Sequence, residues 1–102
     1  MITISVLVTL AVPHAHSLKE KRAVVRSLVE RLRGRLHLAA AEVGMQDRVQ
    51  AAQVGFAIVS GDRAAARAVA GETRRFIDTE LLGRAEVVDV AVNETALGGG
   101  AD

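Results

Sequence analysis

The sequence contains no cysteine, a single proline (Pro13) and only two aromatic residues, Phe56 and Phe76. Without cysteine, the chain can form neither a disulfide framework nor a thiolate metal site, and it has no cysteine nucleophile. Half of the 102 residues are hydrophobic, so the core must be almost entirely aliphatic. This length gives room for one domain. We expect the domain to cover residues 1–95, and residues 96–102 to form a disordered tail because they offer little to bury.

The sequence also has little net charge, +1 overall, but its charges are unevenly distributed. Residues 17–35 hold seven lysines and arginines against Glu20 and Glu30, a net charge of +5. The rest of the chain therefore carries −4. This asymmetry predicts one basic face, which bears on the partners of the protein rather than on its fold.

The first segment alternates between apolar and more polar residues. Its even-numbered positions are all aliphatic: Ile2, Ile4, Val6, Val8, Leu10 and Val12. A period of two over this length predicts a half-buried strand, which Pro13 ends. The segment lacks a basic leader and is too short to span a bilayer. We therefore expect a cytoplasmic protein without membrane association.

A helix is predicted to begin after Ser17. The Ser17 hydroxyl is placed to accept from the Glu20 amide while the Glu20 carboxylate reaches back to the Ser17 amide, which makes a capping box. Gly34 is predicted to end the helix. Apolar residues at helical spacing form one buried stripe: Leu18, Val25, Leu28, Val29 and Leu32.

Two further strands and a turn are predicted next. Residues 36–43 form the second strand, with His37 as an exposed strand residue, and residues 44–48 form a polar turn. Residues 50–60 form the third strand, with Val54, Phe56 and Ile58 facing inward. Two strands joined by a short polar loop form a hairpin.

A second helix and a fourth strand complete the predicted domain. Asp62 is the expected N-cap of the helix, and a fourth strand follows over residues 85–94. The order βαββαβ predicts a ferredoxin-like α+β fold, in which a four-stranded antiparallel sheet carries two helices on one face. The residues expected to face inward are Ala66, Val69, Thr73, Phe76 and Ile77 on the helix, and Val88, Val90 and Val92 on the strand.

Three stretches of the sequence resemble the YlxP-like family, a bacterial family of unknown function. Residues 16–22, His-Ser-Leu-Lys-Glu-Lys-Arg, resemble its first helix, and residues 41–47, Ala-Glu-Val-Gly-Met-Gln-Asp, resemble its hairpin turn. Residues 60–63, Ser-Gly-Asp-Arg, resemble its second helix cap. The resemblance extends from Ile2 to Val92. Members often carry histidine where this chain has Met45 and an aromatic residue where it has Val49, so roles resting on these two positions are not carried over.

The resemblance implies a ferredoxin-like fold and no established activity. Genes of the YlxP-like family often lie beside those for initiation factor two and ribosome-binding factor A. The resemblance therefore implies, by association, a role linked to the ribosome or to RNA.

The basic face of the first helix is the candidate RNA-binding surface. Four cationic residues, Lys19, Arg22, Arg26 and Arg33, fall on one stripe opposite the apolar one. Arginine suits phosphate because its planar fork can donate two hydrogen bonds at once. We expect a non-enzymatic factor that binds ribosomal or other structured RNA through this stripe. The alternative is a solvated face in which Glu30 pairs with Arg26 or Arg33.

Lys21 lies toward the buried side of the same helix. Its stem can lie along apolar surface with the ammonium in water. It can also pair with Glu42 or Asp47, which would make this part of the family motif structural. The sequence leaves open whether Lys21, Glu42 and Asp47 form a functional or a structural cluster.

The sheet face without helices is the second candidate surface. Readers of single-stranded RNA stack bases on aromatic side chains, but this face offers none. Its small, mildly apolar residues suit the packing of two sheets, which predicts a protein-interaction module or homodimer. The alternative is a face that is simply in contact with water. Its expected central residues are Thr3, Ser5, Leu7, Thr9, Gln53, Gly55, Ala57 and Val59.

An enzymatic or metal-binding role has the least support. His14 and His16, with Glu42 or Asp47 nearby, could hold a metal or act as acid and base. Zinc, however, normally takes three or four protein ligands. Ser17 beside His16 resembles a nucleophile pair, but capping accounts for Ser17 fully. We therefore expect no catalytic residues, no metal and no cofactor.

Overall fold

The computed structural model describes residues 1–98, which form two helices and four strands in the predicted order. The bounds are β1 Ile2–Ala11, α1 Leu18–Gly34, β2 Ala39–Gly44, β3 Ala51–Ser60, α2 Arg63–Glu80 and β4 Glu86–Ala96. The strands form one antiparallel sheet in the order β2-β3-β1-β4. Both helices pack against the same face. The ferredoxin-like α+β fold is therefore confirmed.

The core lies between this face and the helices. The alternation predicted for the first strand is confirmed, because all six of its even-numbered aliphatic residues are buried. Cross-strand pairing sets Val54, Phe56 and Ile58 of β3 opposite Val8, Val6 and Ile4 of β1. The stripe of α1 covers them with Val25, Leu28, Val29 and Leu32, while Leu18 is only half-buried.

The second strand begins three residues later than predicted. His37 has a φ of 56°, in the left-handed region that interrupts extended backbone. The prediction that His37 is a strand residue is therefore wrong, although the residue is exposed as expected. Leu36 and Leu38 pack against the core from this connection.

The inward residues of the fourth strand are also partly different. The β1–β4 register shifts between Thr9 and Leu10, so Leu10 pairs with Val87 and leaves Val88 as an extra residue. Val88 is accordingly 57% exposed. Val92 lies opposite Val6, but it is 61% exposed because β4 is an edge strand and α2 packs mainly on β3 and β1. Val87 and Val90 pack against the core instead.

The second helix has a narrower buried stripe than predicted. Ala66, Thr73 and Ile77 are buried and Phe76 is half-buried, whereas Val69 is exposed. At 100° per residue, Val69 and Phe76 lie on the same flank of the stripe, about 60° and 80° from Ala66, and Val69 is 37% exposed. The prediction that Val69 faces inward is therefore wrong.

The C-terminal end of the described chain is tied to its beginning. β4 extends to Ala96, and the Leu97 amide donates to the Met1 carbonyl at 2.8 Å. Residues 96 and 97 of the predicted tail are thus part of this pairing, and residues 99–102 lie outside the described residues. Among residues 1–98, no helix is long and apolar enough to cross a membrane.

Candidate functional site

The N-terminus of α1 is held by two side-chain caps. Ser17 Oγ accepts from the Glu20 amide at 3.1 Å, which satisfies one of the free donors of the first turn. The Glu20 carboxylate accepts from the His16 amide at 3.0 Å instead of the Ser17 amide, so the reciprocal half of the predicted capping box is wrong by one residue. Asp62 plays the corresponding role at α2, where its Oδ2 accepts from the Ala65 amide at 2.7 Å.

Lys21 is fully buried and joins α1 to the β2–β3 turn. Its ammonium donates to the carbonyls of Met45 at 2.9 Å and Gln46 at 3.2 Å. Glu42 Oε2 lies 3.4 Å away as an ion pair, without the alignment of a hydrogen bond. Asp47 is exposed and forms no ion pair within residues 1–98. The contacts give Lys21 and Glu42 a structural part, in line with one of the two alternatives.

Three cations of the α1 stripe are exposed and have no internal partner. Within the described residues, Lys19, Arg22 and Arg26 form no ion pair and no side-chain hydrogen bond. Arg33 is also exposed, and its Nε donates to the Ala40 carbonyl on edge strand β2 at 2.8 Å. Arg31 and Arg35, outside the stripe, both pair with Glu80 of α2. Residues 17–35 thus contain two kinds of arginine: those that contact other elements of the protein and those that form no ion pair or side-chain hydrogen bond within residues 1–98.

Arg22, Arg26 and Arg33 line one groove of about 470 Å³ between α1 and the end of β2. Glu30 and Glu42 line it as well. Because Glu42 is paired with Lys21, the three guanidinium groups face one carboxylate, that of Glu30, which forms no ion pair within residues 1–98. The pairing of Glu30 with Arg26 or Arg33 is not found in the part of the chain described here. This groove can accept an anion, and Lys19 extends its positive surface along the helix.

Among residues 1–98, no charged side chain lies at the centre of the helix-free sheet face. Leu7, Gly55 and Ala57 lie there, and Gln53 donates to the Thr9 hydroxyl at 3.2 Å, which uses one of its amide donors. Val43 lies over Gly55, with its methyl groups about 3.4 Å from where a Gly55 side chain would begin. The centre forms a shallow depression of about 560 Å³. Apolar side chains of small size therefore dominate this surface.

His14 and His16 are both exposed and lie in different depressions. His14 lies beside Gly83 and Arg84, and His16 lies beside Arg48. Among residues 1–98, no three His, Asp or Glu side chains are arranged to hold a metal ion. Glu42 faces the basic groove instead, so the four residues considered for metal or acid–base chemistry do not converge.

One polar cluster was not anticipated from the sequence. Glu94 on β4 accepts from Arg63 at 3.0 Å and from Arg67 at 2.8 Å. The hydrogen bond from Arg67 lowers the pKa of the Glu94 carboxyl and raises the pKa of the Arg67 guanidinium. Nothing in the local sequence indicates this cluster, because its members are about thirty residues apart and meet only when α2 packs beside β4.

With this geometry established, comparison with known proteins identifies the family. Residues 3–92 match the family described as a protein of unknown function, DUF503. The chain belongs to this family. It is 35% identical over 65 residues to the uncharacterized protein YlxP of Bacillus subtilis (strain 168), covering 64% of this chain and 71% of that protein. The resemblance to the YlxP-like family is thereby confirmed.

Two solved structures share the fold. The designed protein Foldit4 aligns with a TM-score of 0.53 at 10% identity, over 96% of this chain and all of the designed one. A dimeric ferredoxin-like protein from an uncultured marine organism aligns with a TM-score of 0.51 at 8% identity, over 93% of this chain and 94% of that one. At such low identity, these likenesses show the fold alone.

Proposed function

We propose that this DUF503 protein binds structured RNA, including ribosomal RNA, through phosphate contacts made by α1. The observation that carries the proposal is the set of free cations on one exposed stripe. Lys19, Arg22 and Arg26 have no internal partner within residues 1–98, and Arg33 uses one of its donors on a backbone carbonyl. Cations that neutralise no acid of their own protein remain available for phosphate.

The shape of the groove supports contact with a backbone rather than with bases. All three of its arginines lie on α1, while Glu42 of β2 and Gln46 of the following turn line the other side, and no aromatic side chain among residues 1–98 lines it. Phosphate contacts fix position without reading sequence. We therefore expect binding to several structured RNAs with little sequence preference, and no chemical change to the RNA.

Binding should be measured with a labelled RNA hairpin and with purified ribosomal subunits across a salt series. The logarithm of the association constant should fall linearly with the logarithm of the salt concentration, with a slope of about −0.7 to −0.9 for each phosphate neutralised. The double substitution Arg22→Glu and Arg26→Glu should abolish binding at low salt. The matched control is Arg74→Glu with Arg75→Glu, which makes the same charge change on exposed positions of α2.

Two results would contradict the proposal. One is the absence of RNA and subunit binding at low salt. The other is equal loss of affinity in both charge-reversal variants, because net charge alone would then explain the effect.

A second candidate function is that of a protein-interaction module using the open sheet face. The observation that favours it is the uncharged, aliphatic centre of that face, around Leu7, Gly55 and Ala57. Contiguous apolar patches on a protein surface mark interaction sites when they reach a few hundred Å². The marine ferredoxin-like protein of similar fold is dimeric, which is compatible with such a use.

A further inference from the structure

We infer that the helix-free sheet face pairs with the same face of a second copy of this chain. The inference rests on the second candidate function and is independent of RNA binding. It assigns the occupant of the face and the position of the basic helices in the pair.

The composition of the face favours another copy over a charged partner. Its apolar side chains protrude to different extents. Val43 and Val59 are 53% and 67% exposed, while alanines and Gly55 line a depression between the strands. A surface with both raised and low apolar areas can complement itself about a twofold axis, the commonest symmetry of homo-oligomers. Within the part of the chain that the structure describes, the centre has no charged side chain with which to select an ionic partner.

The area of the face meets the requirement of a small stable interface. Four strands at about 4.8 Å spacing and roughly ten residues at about 3.3 Å each cover about 600 Å². Two copies would bury about 1,200 Å² in total, the lower limit for specific interfaces. We therefore expect a dimer that dissociates at low micromolar concentration rather than an obligate one.

The charges at the margin leave the centre of the face free for pairing. Residues paired with Thr9 and Ala11 of β1 share its outer face, so the acidic Asp89 and Glu86 lie at one end of β4. An axis across the strands reverses their direction and sets this acidic end over the opposite end of the partner's β4. An axis parallel to the strands, between β1 and β3, sets it over β2 of the partner, so the two acidic ends stay apart in either arrangement.

In a pair joined by these faces, the two sheets form the inner layers and the helices form the outer ones. Facing sheets pack about 10 Å apart, and the α1 stripes lie on opposite outer sides of the pair. Each copy then presents its own basic groove, so the dimer can hold two RNA segments. The dimer cannot place both α1 stripes on one short RNA helix, because the stripes lie on opposite outer sides of the pair.

The test begins with sedimentation velocity of the purified chain from low to high micromolar concentration. The wild type should shift toward twice the 10.8 kDa mass. Ala57→Glu should weaken association by roughly tenfold or more, because its carboxylate would be buried without a partner. Leu82→Glu, which changes a 76% exposed residue outside the sheet, is the matched control and should associate like the wild type.

A second measurement does not depend on whether Ala57→Glu folds. The chain has no native cysteine, so Ser5→Cys places a single thiol on the exposed sheet face and Leu82→Cys places one elsewhere. Alkylation of the first thiol should slow as protein concentration rises, and that of the second should not. A wild type that stays monomeric, equal concentration dependence for both thiols, or undiminished association of a folded Ala57→Glu would each overturn the inference.

The outcomes separate this inference from both proposed functions. RNA binding by a monomeric wild type would leave the first proposal intact. Protection of the Ser5→Cys thiol by cell extract, without self-association of the pure protein, would overturn pairing with a second copy and retain the second candidate function.

Discussion

Lys21 joins α1 to the β2–β3 turn. Burial removes its ammonium from water, and oxygen atoms of the protein take the place of the hydrating water molecules. Two backbone carbonyls and the Glu42 carboxylate surround it, as a buried charge requires. The sequence placed Lys21 toward the buried side and offered Glu42 as a partner. It did not indicate the two carbonyls, because the turn brings them to α1 only in the folded chain.

We expect Lys21→Met to destabilise the protein by about 2–4 kcal/mol, since it leaves two backbone carbonyls and a carboxylate without the ammonium that they face. Lys19→Met, on an exposed position of the same helix, should change the free energy of unfolding by less than about 0.5 kcal/mol. Urea denaturation measures both. Equal, small effects would show that the buried ammonium adds nothing to stability.

Glu94 couples stability to pH through its depressed pKa. A carboxyl whose folded pKa lies below its unfolded value stabilises the fold above the unfolded value, about 4.3 for Glu. That stabilisation is lost as the pH falls through the folded pKa. Arg67 and then Arg63 supply the hydrogen bonds behind this shift.

Glu94→Gln should therefore lower the free energy of unfolding at pH 7, and the difference from the wild type should shrink below pH 4. Urea titrations at both pH values measure it. Glu72→Gln is the control, because Glu72 is exposed on α2 and forms no ion pair within residues 1–98. A pH-independent difference at Glu94 would show that the arginine contacts do not lower its pKa.

At the scale of elements, the sequence pattern predicted the buried residues of the interior strands β1 and β3 better than the course of the edge strands β2 and β4. β1 and β3 are covered on one face along their length, so period-two alternation predicts which residues they bury. β4 lies at an edge and contains a bulge at Val88, which changes the facing residue before Asp89. An alternating pattern cannot reveal such a bulge, because the extra residue is fixed by the pairing with β1.

The connection before β2 is governed by one backbone conformation. His37 adopts a φ of 56°, which ends the helical path and delays the strand. We expect His37→Val to destabilise by about 1–2 kcal/mol, because β-branched residues adopt this region poorly. His37→Asn should be nearly neutral, since asparagine tolerates it. Thermal or urea unfolding compares the two; equal stabilities would contradict the account.

At the scale of the whole molecule, the two candidate surfaces lie on opposite sides of the sheet. α1 covers one face and presents its cations outward, while the other face exposes Leu7, Gly55 and Ala57. Substitutions on one surface should therefore leave the other unchanged. Ala57→Glu should keep the RNA affinity of each copy, and Arg22→Glu with Arg26→Glu should keep self-association.

The sequence by itself determined the order of elements, the two helix caps and the apolar faces of β1, β3 and α1. These depend on alternation, helical spacing and neighbouring side chains, which act over a few residues. It also placed four cations on one side of α1.

Only the tertiary structure decided which of the basic residues remain free. Arg31 and Arg35 form ion pairs with Glu80, and Lys21 donates a hydrogen bond to the β2–β3 turn. The same holds for Glu94, Val88 and Val92, whose partners or exposure depend on where α2 and β4 meet the sheet. Contacts between residues distant in sequence form only when the elements pack, so no local pattern could indicate them.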